Sequence, residues 1–218
     1  MRDRELHTTR TLKVLGFLLT YPTPQHQTAI EECRILLAQE AWISEKMQTH
    51  LQPFFEMLGK TSLLDLQESY VELFDRTPSL SLHLFEHIHG DSRTRGQALA
   101  DLAMLYEESG LQITGGETPD YLPLFLEYLS SQPTEAAKEH IGLIVDILSA
   151  IGERLKNRDS SYALIFAAIK ELTGRKPNLI VVEKALQTAS GAASDFETID
   201  QTWAEQFAFE QTQGSNRP

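Results

Sequence analysis

The chain has 218 residues with a formal net charge of −12, 41% hydrophobic and 23% charged residues, and no disulfide partner for its single cysteine. This size can bury one sizeable core, and the ordinary composition excludes a disordered or membrane-spanning class. The acidic balance argues against nucleic-acid binding, which needs clustered Lys and Arg, and favours a cationic partner.

Apolar residues spaced three and four apart dominate the chain and predict an all-α fold. A first helix is expected from near Arg4 to Thr20. Thr23 is placed to cap a second helix that runs to near Glu40. Cys33 lies on the apolar side of that helix, which indicates a buried structural thiol in a reduced, cytoplasmic protein without a signal peptide.

The next two helices are bounded by caps and breakers. Ser44 is predicted to cap a third helical segment, Pro53 to kink or break it, and Gly59 to end it. A fourth helix is expected from about Ser62 to Phe74. Each boundary rests on a residue that either supplies a capping oxygen or disfavours helical backbone.

The second half of the chain continues the helical pattern. A helix is expected to start at Asp91 or Ser92 and to end at a left-handed Gly110. After Pro133, one long helix carries inward apolar residues at steps of four and three: Ala137, Ile141, Ile144, Leu148, Ile151 and Leu155. We predict a single-domain bundle of about eight or more helices over residues 1–177. We expect residues 178–218 to be a C-terminal extension, first partly helical and then disordered.

A glycine pair precedes an acidic helix start near the middle of the chain. Gly115-Gly116 is expected to form a hinge with positive φ. Thr118 is the predicted N-cap, Pro119 the first helical residue, and Asp120 a carboxylate in the first turn. Asp120 and Glu117 either stabilise this helix start or attract a basic segment of a partner, and the spacing alone leaves both interpretations open.

A histidine pattern offers a catalytic alternative. His83-Leu84-Phe85-Glu86-His87 matches the H-x-x-E-H pattern of inverted zincins. In a helix, His83 and His87 would share a zinc ion, with Glu86 as general base. The segment is also apolar enough to be a docking surface, so a zinc-dependent hydrolase and a generic helical interaction module stay open at this point.

Two longer stretches carry a family resemblance. One runs from Tyr70 to Arg93 and combines an aromatic helix end with a Pro78-Ser79-Leu80 turn. The other runs from Gly115 to Leu129 and contains Glu-Thr-Pro-Asp-Tyr, where the wider family has Glu-x-Pro-Asp-His. Over roughly residues 10–175 the chain resembles the nitrate reductase molybdenum cofactor assembly chaperones (delta subunits). They are a branch of the redox-enzyme maturation chaperones.

The resemblance implies an all-α protein without catalytic activity. Family members bind the N-terminal, leader-like segment of the nitrate reductase catalytic (alpha) subunit. They hold this apoenzyme while molybdenum cofactor and an iron–sulfur cluster are inserted, delay its membrane attachment, and are absent from the final enzyme. We therefore expect a cytoplasmic protein with no stably bound cofactor or metal, no nucleic-acid partner and no stable membrane insertion.

The resemblance also implies a groove between the two stretches. Carboxylates would pair with Arg or Lys of a basic amphipathic helix, and aromatic rings would contact its apolar side. The residues expected to form this peptide-binding site are Tyr70, Phe74, Asp75, Glu86, Glu117, Asp120 and Tyr121.

Overall fold

The computed structural model describes residues 10–88 and 93–187, which form a bundle of helices without a β-strand. The all-α prediction is therefore confirmed. Three expectations lie outside the described residues: the start of the first helix, the helix start at Asp91 or Ser92, and the polar tail beyond residue 187. Within the described ranges, every helix is too short or too polar to cross a bilayer.

The first half contains α1 (Arg10–Leu18), α2 (Pro24–Thr28), α3 (Ile30–Glu40), α4 (Glu45–His50), α5 (Gln52–Lys60) and α6 (Leu63–Tyr70). A π-turn (Val71–Asp75) and a 3₁₀ turn (Pro78–Leu80) lead into α7 (Leu84–Ile88). The second half contains α8 (Arg93–Glu108), α9 (Leu122–Ser130), α10 (Thr134–Leu143), α11 (Val145–Lys156), α12 (Ala163–Thr173) and α13 (Leu179–Gln187).

Helix α1 lies at the centre of the bundle and packs against α9, α3 and α12. Its buried face carries Leu12, Leu15 and Leu18. Gly16 allows the close approach of α9, because a Cβ atom there would lie 3.0 Å from the carbonyl oxygen of Pro123. The packing of α1 on α9 therefore fixes the start of α9, which is one wall of the site described below.

Several predicted caps and breaks are confirmed. Thr23 is the N-cap of α2, and the hydroxyl of Ser44 accepts the backbone N–H of Met47 at 3.1 Å. Pro53 is the second residue of α5, directly after the break at Leu51 that ends α4, and Gly110 has a positive φ of 79°. Ser44 acts through its capping oxygen, and Pro53 and Gly110 act through backbone conformation, as their predictions required.

Other helix boundaries were predicted wrongly. The second predicted helix is interrupted at Ala29, and α5 continues through Gly59 to end at Lys60. The long helix after Pro133 is interrupted at Ile144, whose φ of −99° and ψ of 8° are not helical. All six of its inward apolar residues are nevertheless buried. A break of one residue leaves both halves facing the core, so the apolar spacing could not reveal it.

Helix α13 packs against α11 and belongs to the bundle. Its Val182 and Ala185 are buried. The buried Arg154 of α11 donates to the carbonyl oxygen of Ala185, and also to that of Ser79 at 3.1 Å. The domain division at residues 177 and 178 stays a prediction, although the described chain packs across it.

Candidate functional site

Backbone hydrogen bonds join the described part of the 70–93 stretch to the 115–129 stretch. The N–H of Leu84 donates to the carbonyl oxygen of Asp120 at 3.0 Å, and that of Leu122 donates to Leu82 at 2.8 Å. Between them, His83 and Tyr121 form an isolated antiparallel bridge. The structure therefore brings the two stretches side by side over the segment where the sequence predicted a site.

The predicted helix start at Thr118 is wrong. Helix α9 begins at Leu122, with Tyr121 as its N-cap. Residues 118–121 form a turn in which the N–H of Tyr121 donates to the carbonyl oxygen of Thr118 at 3.0 Å. The bridge to the 70–93 stretch holds Tyr121 extended, and the Thr118 hydroxyl bonds to Asp120 instead of capping a helix. The preceding hinge is confirmed, since both Gly115 and Gly116 have positive φ.

Asp120 is a buried structural carboxylate, with 0% of its surface exposed. Its Oδ2 accepts the backbone N–H of Phe85 at 3.0 Å, and its Oδ1 accepts the Thr118 hydroxyl at 2.5 Å. Burial alone would raise the pKa of Asp120, but the nearby His83 ring and the hydrogen bonds from Thr118 and Phe85 outweigh burial and lower it. The charge of Asp120 is therefore not exposed to solvent, and its predicted contact with a peptide stays a prediction. Asp120 fixes the start of α7 against the 118–121 turn.

His83 connects this buried network to the surface. Its Nδ1 lies 2.9 Å from the Thr118 hydroxyl oxygen and 3.6 Å from Oδ1 of Asp120. On the other side of the ring, Nε2 lies 4.0 Å from Oε2 of Glu117. The adjacent carboxylate of Asp120 raises the pKa of His83, against the opposing effect of burial, and Glu86 and Glu117 raise it further.

The zinc pattern is not assembled in the structure. His83 precedes α7, so it does not share that helix with His87. His87 is buried and bonds through Nε2 to the carbonyl oxygen of Ser81 at 2.9 Å, and burial lowers its pKa. Glu86 pairs with Arg95 at 3.3 Å. In residues 10–88 and 93–187, no group of three His, Cys, Asp or Glu side chains is placed to hold a metal ion.

A small pocket opens where the two stretches meet, and we call it the tyrosine pocket. Its volume is about 170 Å³. It is lined by Tyr21, Tyr70, Phe74, Asp75, Leu82, His83, Glu117 and Tyr121. Most of the predicted site residues therefore meet in one pocket, whereas Asp120 lies beneath it and Glu86 pairs with α8. Sequence reasoning missed Tyr21 and assigned His83 only to the zinc pattern.

Three tyrosines form one wall of the tyrosine pocket. Tyr70 donates its hydroxyl to the carbonyl oxygen of Leu19 at 2.9 Å, and its oxygen lies 3.0 Å from the hydroxyl of Tyr121. Tyr21 packs edge-on against Tyr70, with ring centroids 5.6 Å apart. Burial raises the pKa of both Tyr70 and Tyr121, so their phenols stay neutral at physiological pH.

The π-turn places two different side chains at this pocket. The N–H of Arg76 donates to the carbonyl oxygen of Val71 at 2.9 Å, which is a bond across five residues. Phe74 packs its ring 4.9 Å from that of Tyr70, while the exposed Asp75 supplies a carboxylate to the same pocket. The sequence predicted an ordinary helix up to Phe74, because side-chain spacing cannot reveal a single wide turn.

The tyrosine pocket is anionic and aromatic. Its lining, all of it within the described residues, contains the carboxylates of Asp75 and Glu117 but no Lys or Arg. The Glu117 side chain is 50% exposed. A cationic group on an apolar segment suits such a lining, because carboxylates pair with it and aromatic faces attract it.

A second depression adjoins the tyrosine pocket between α1 and α9. It measures about 310 Å³ and shares Glu117 and Tyr121 with the pocket. Its remaining lining includes the half-buried Phe17 and Leu124. The carboxylate of Glu117 therefore lies between two openings and is accessible from both.

The fold is similar to that of a protein from Archaeoglobus fulgidus assigned as a redox enzyme maturation protein. The two structures superpose with a TM-score of 0.55 at 19% sequence identity, covering 77% of this chain and 94% of that one. At this identity the likeness shows the shared all-helical fold.

The sequence comparisons define the family. The profile described as "Nitrate reductase delta subunit" matches residues 40–168. The chain is 39% identical to NarW of Escherichia coli K12 over 89% of this chain and 81% of that protein. It is 37% identical to the "Nitrate reductase molybdenum cofactor assembly chaperone NarJ" of the same strain, over 89% and 82%. The chain belongs to the nitrate reductase delta subunit family.

This family assignment confirms the resemblance seen in the sequence. A further relative, from Bacillus subtilis, is 30% identical over 85% of this chain and 97% of its own length. The relatives are named as assembly chaperones and not as catalysts, which confirms the expectation that this chain is not an enzyme.

Proposed function

We propose that this chain is a chaperone that binds the N-terminal segment of the nitrate reductase alpha subunit. It keeps the apoenzyme competent for insertion of molybdenum cofactor and an iron–sulfur cluster before membrane attachment. Family membership supports the assembly role. The observation that carries the peptide-binding role is the tyrosine pocket, where exposed carboxylates and aromatic side chains from both family-specific stretches meet.

The tyrosine pocket would hold one part of a basic amphipathic helix. Glu117 and Asp75 would pair with its Arg or Lys, while Phe74, Tyr70 and Tyr121 would contact an apolar side chain. The neutral phenols bring hydrogen-bonding capacity without adding charge. Affinity would come mainly from the apolar contact, and the carboxylates would supply preference for a cationic segment.

Asp120 and Glu86 take supporting roles in this proposal. Asp120 holds Phe85 and Thr118 in place and orients His83, so it positions the pocket without contacting the peptide. Glu86 is paired with Arg95 and stabilises the junction between α7 and α8.

The proposed role also implies where the chain meets the alpha subunit and which molecules their complex contains. The chaperone acts in the cytoplasm, leaves before the mature enzyme forms, and binds no nucleic acid. Molybdenum cofactor and the iron–sulfur cluster are cargo of the alpha subunit. The chain's own role is to hold the subunit that receives them.

Isothermal titration calorimetry with a synthetic peptide tests the binding role. The peptide covers the N-terminal segment of the cognate alpha subunit and is titrated into the wild type and variants at low salt. An exposed ion pair contributes about 0.2–1 kcal/mol. Glu117→Gln should therefore weaken binding about threefold, and Asp75→Asn combined with Glu117→Gln about tenfold. Added salt should shrink both differences.

Glu183→Gln on α13 is the matched control, because it removes an exposed carboxylate from a helix that does not line the tyrosine pocket. It should bind like the wild type. The proposed site would be contradicted if the wild type showed no detectable binding. It would also be contradicted if the Asp75→Asn/Glu117→Gln variant bound the peptide as tightly as the wild type at low salt.

A further inference from the structure

A larger trough runs along α6 next to the tyrosine pocket. We call it the α6 trough, and its volume is about 650 Å³. It is lined by Tyr21, Leu64, Asp65, Gln67, Glu68, Ser69, Val71, Glu72 and Arg76. Tyr21 also lines the tyrosine pocket, so the two depressions meet at this ring.

The α6 trough presents exposed apolar side chains. Leu64 is 65% exposed and Tyr21 is 45% exposed. Val71, one helical repeat of seven residues after Leu64, is half-buried on the same wall. Single exposed leucines are common on protein surfaces, but here apolar side chains are grouped within one concave surface. A concave apolar surface of this kind suits the apolar face of another helix.

An acidic stripe borders these apolar residues. Asp65, Glu68, Glu72 and Asp75 follow one another at steps of three, four and three residues, and all are exposed. The first three line the α6 trough and the last lines the tyrosine pocket. The stripe therefore leads from one depression into the other, across the π-turn. Arg76 is the Lys or Arg residue in the trough lining, and its guanidinium lies 3.4 Å from the carboxylate of Glu72. Because Arg76 pairs with Glu72, the lining holds no Lys or Arg that pairs with Glu68.

The tyrosine pocket alone is too small for a helix. Sites that bury small organic ligands typically measure about 300–1,000 Å³, and this pocket measures about 170 Å³, enough for roughly one large side chain. A peptide helix bound there must continue over neighbouring surface. The ten-residue interval from Asp65 to Asp75 spans about 15 Å at ~1.5 Å per residue, which is close to three turns of a bound helix.

We propose that the α6 trough is a second section of the peptide-binding surface. It takes the continuation of the same cationic amphipathic helix whose other end occupies the tyrosine pocket. This inference rests on the proposed function and adds a requirement for the partner. Beyond the residues that enter the pocket, the partner helix carries an apolar side chain that contacts Leu64, with Lys or Arg beside it.

Charge favours this occupant over the two nearest alternatives. A second copy of the chain placed symmetrically on this face would oppose the acidic stripe with itself, which is unfavourable. The chain's own segment 188–218 has five acidic residues and one basic residue, so it is repelled by the same stripe. A basic amphipathic peptide is attracted by Glu68, and its apolar side chains can pack against the apolar lining of the α6 trough.

Fluorescence anisotropy with two labelled synthetic peptides tests the α6 trough. One peptide covers the whole N-terminal segment of the alpha subunit, and the other is the half whose binding depends on Glu117. Leu64→Ser should weaken the whole peptide about tenfold, because roughly a leucine's worth of apolar burial is lost. It should leave the half peptide within twofold of wild type. Glu68→Gln should weaken the whole peptide about threefold at low salt only.

Leu179→Ser is the matched control, since Leu179 is 74% exposed on α13 and lines neither depression. It should bind both peptides like the wild type. Absence of any binding to the wild type contradicts the proposed function itself. If Glu117→Gln weakens the whole peptide but Leu64→Ser does not, the function stands and the α6 trough is overturned. Circular dichroism of Leu64→Ser confirms that the exposed substitution leaves the fold intact.

Discussion

Replacement of Asp120 separates a structural role from a direct binding role. In Asp120→Ala, the N–H of Phe85 and the hydroxyl of Thr118 lose a buried charged acceptor that lies 3.0 Å and 2.5 Å away. His83 also loses a carboxylate 3.6 Å from its Nδ1. In Asp120→Asn, the amide oxygen can still accept the N–H of Phe85, but the charge is gone. Asp120→Ala therefore removes both the acceptor atoms and the charge, whereas Asp120→Asn removes the charge and keeps an acceptor for Phe85.

The expected loss of stability follows from the number of bonds. A hydrogen bond to a charged group contributes about 1.5–3 kcal/mol, and a buried donor left without a partner costs about 1–3 kcal/mol. Asp120→Ala should lower the free energy of unfolding by about 3–5 kcal/mol, and Asp120→Asn by about 1–2 kcal/mol. For a chain of this length each kcal/mol corresponds to about 2–4 °C in Tm, so Asp120→Ala should melt about 10 °C lower.

Urea unfolding followed by circular dichroism measures the stability, and peptide titration at a temperature where all variants are folded measures the affinity. Because Asp120 is 0% exposed, Asp120→Asn should bind the alpha-subunit peptide within about threefold of wild type. An Asp120→Ala variant as stable as the wild type would refute the buried network. An Asp120→Asn variant that keeps full stability but loses most of its affinity would show that the carboxylate contacts the peptide.

Three further predictions follow from single residues. The raised pKa of His83 stabilises its protonated form in the folded state, so its contribution is fully present below the unfolded value of 6.5 and is lost as pH rises through the folded pKa. The stability difference between wild type and His83→Gln, measured by urea unfolding, should therefore be larger at acidic than at alkaline pH, and a pH-independent difference would contradict this. Burial raises the pKa of the Cys33 thiol to about 11. Iodoacetamide at pH 8 should therefore label native protein far more slowly than urea-unfolded protein, and equal rates would show an accessible thiolate. Gly16→Ala should destabilise the protein by about 1–2 kcal/mol because its Cβ would meet the backbone of α9, whereas Gly96→Ala, with open space around it, should stabilise by about 0.5–1 kcal/mol. If Gly16→Ala raised the thermal unfolding temperature, α9 would have to shift at little cost to make room for the added Cβ.

The fold class was predictable because apolar spacing reports which residues face a core. Ala137, Ile141 and Leu148 are buried as that spacing required, although Ile144 divides their helix. Helix ends were predictable where a side chain acts locally, as at Ser44. They were not predictable where tertiary contacts decide. The predicted N-cap at Thr118 was wrong because a bridge to His83, distant in sequence, holds Tyr121, three residues after Thr118, extended.

The residues that line the tyrosine pocket were partly predictable from the sequence, but the orientation of their side chains was not. Tyr70 and Tyr121 come from the two family-specific stretches, and the structure joins their hydroxyls at 3.0 Å. Asp120 belongs to the same motif, yet its side chain is directed inward because a buried N–H needs an acceptor. Tyr21 carries no motif, and it reaches the tyrosine pocket only through the packing that places it against Tyr70. Sequence patterns could not show that Asp120 points inward while Glu117, three residues earlier, is exposed.

Site-specific photo-cross-linking tests whether the N-terminal segment of the alpha subunit binds where the tyrosine pocket meets the α6 trough. Tyr21→benzoylphenylalanine places the reactive group where the tyrosine pocket and the α6 trough meet, and Leu179→benzoylphenylalanine is the control on α13. Each protein is irradiated with the full-length apo alpha subunit, and mass spectrometry maps the attachment points. We expect cross-links from position 21 to the N-terminal segment of the alpha subunit and none from position 179 to that segment. Cross-links from position 21 only to other parts of the subunit, or equal yields from both positions, would contradict this expectation.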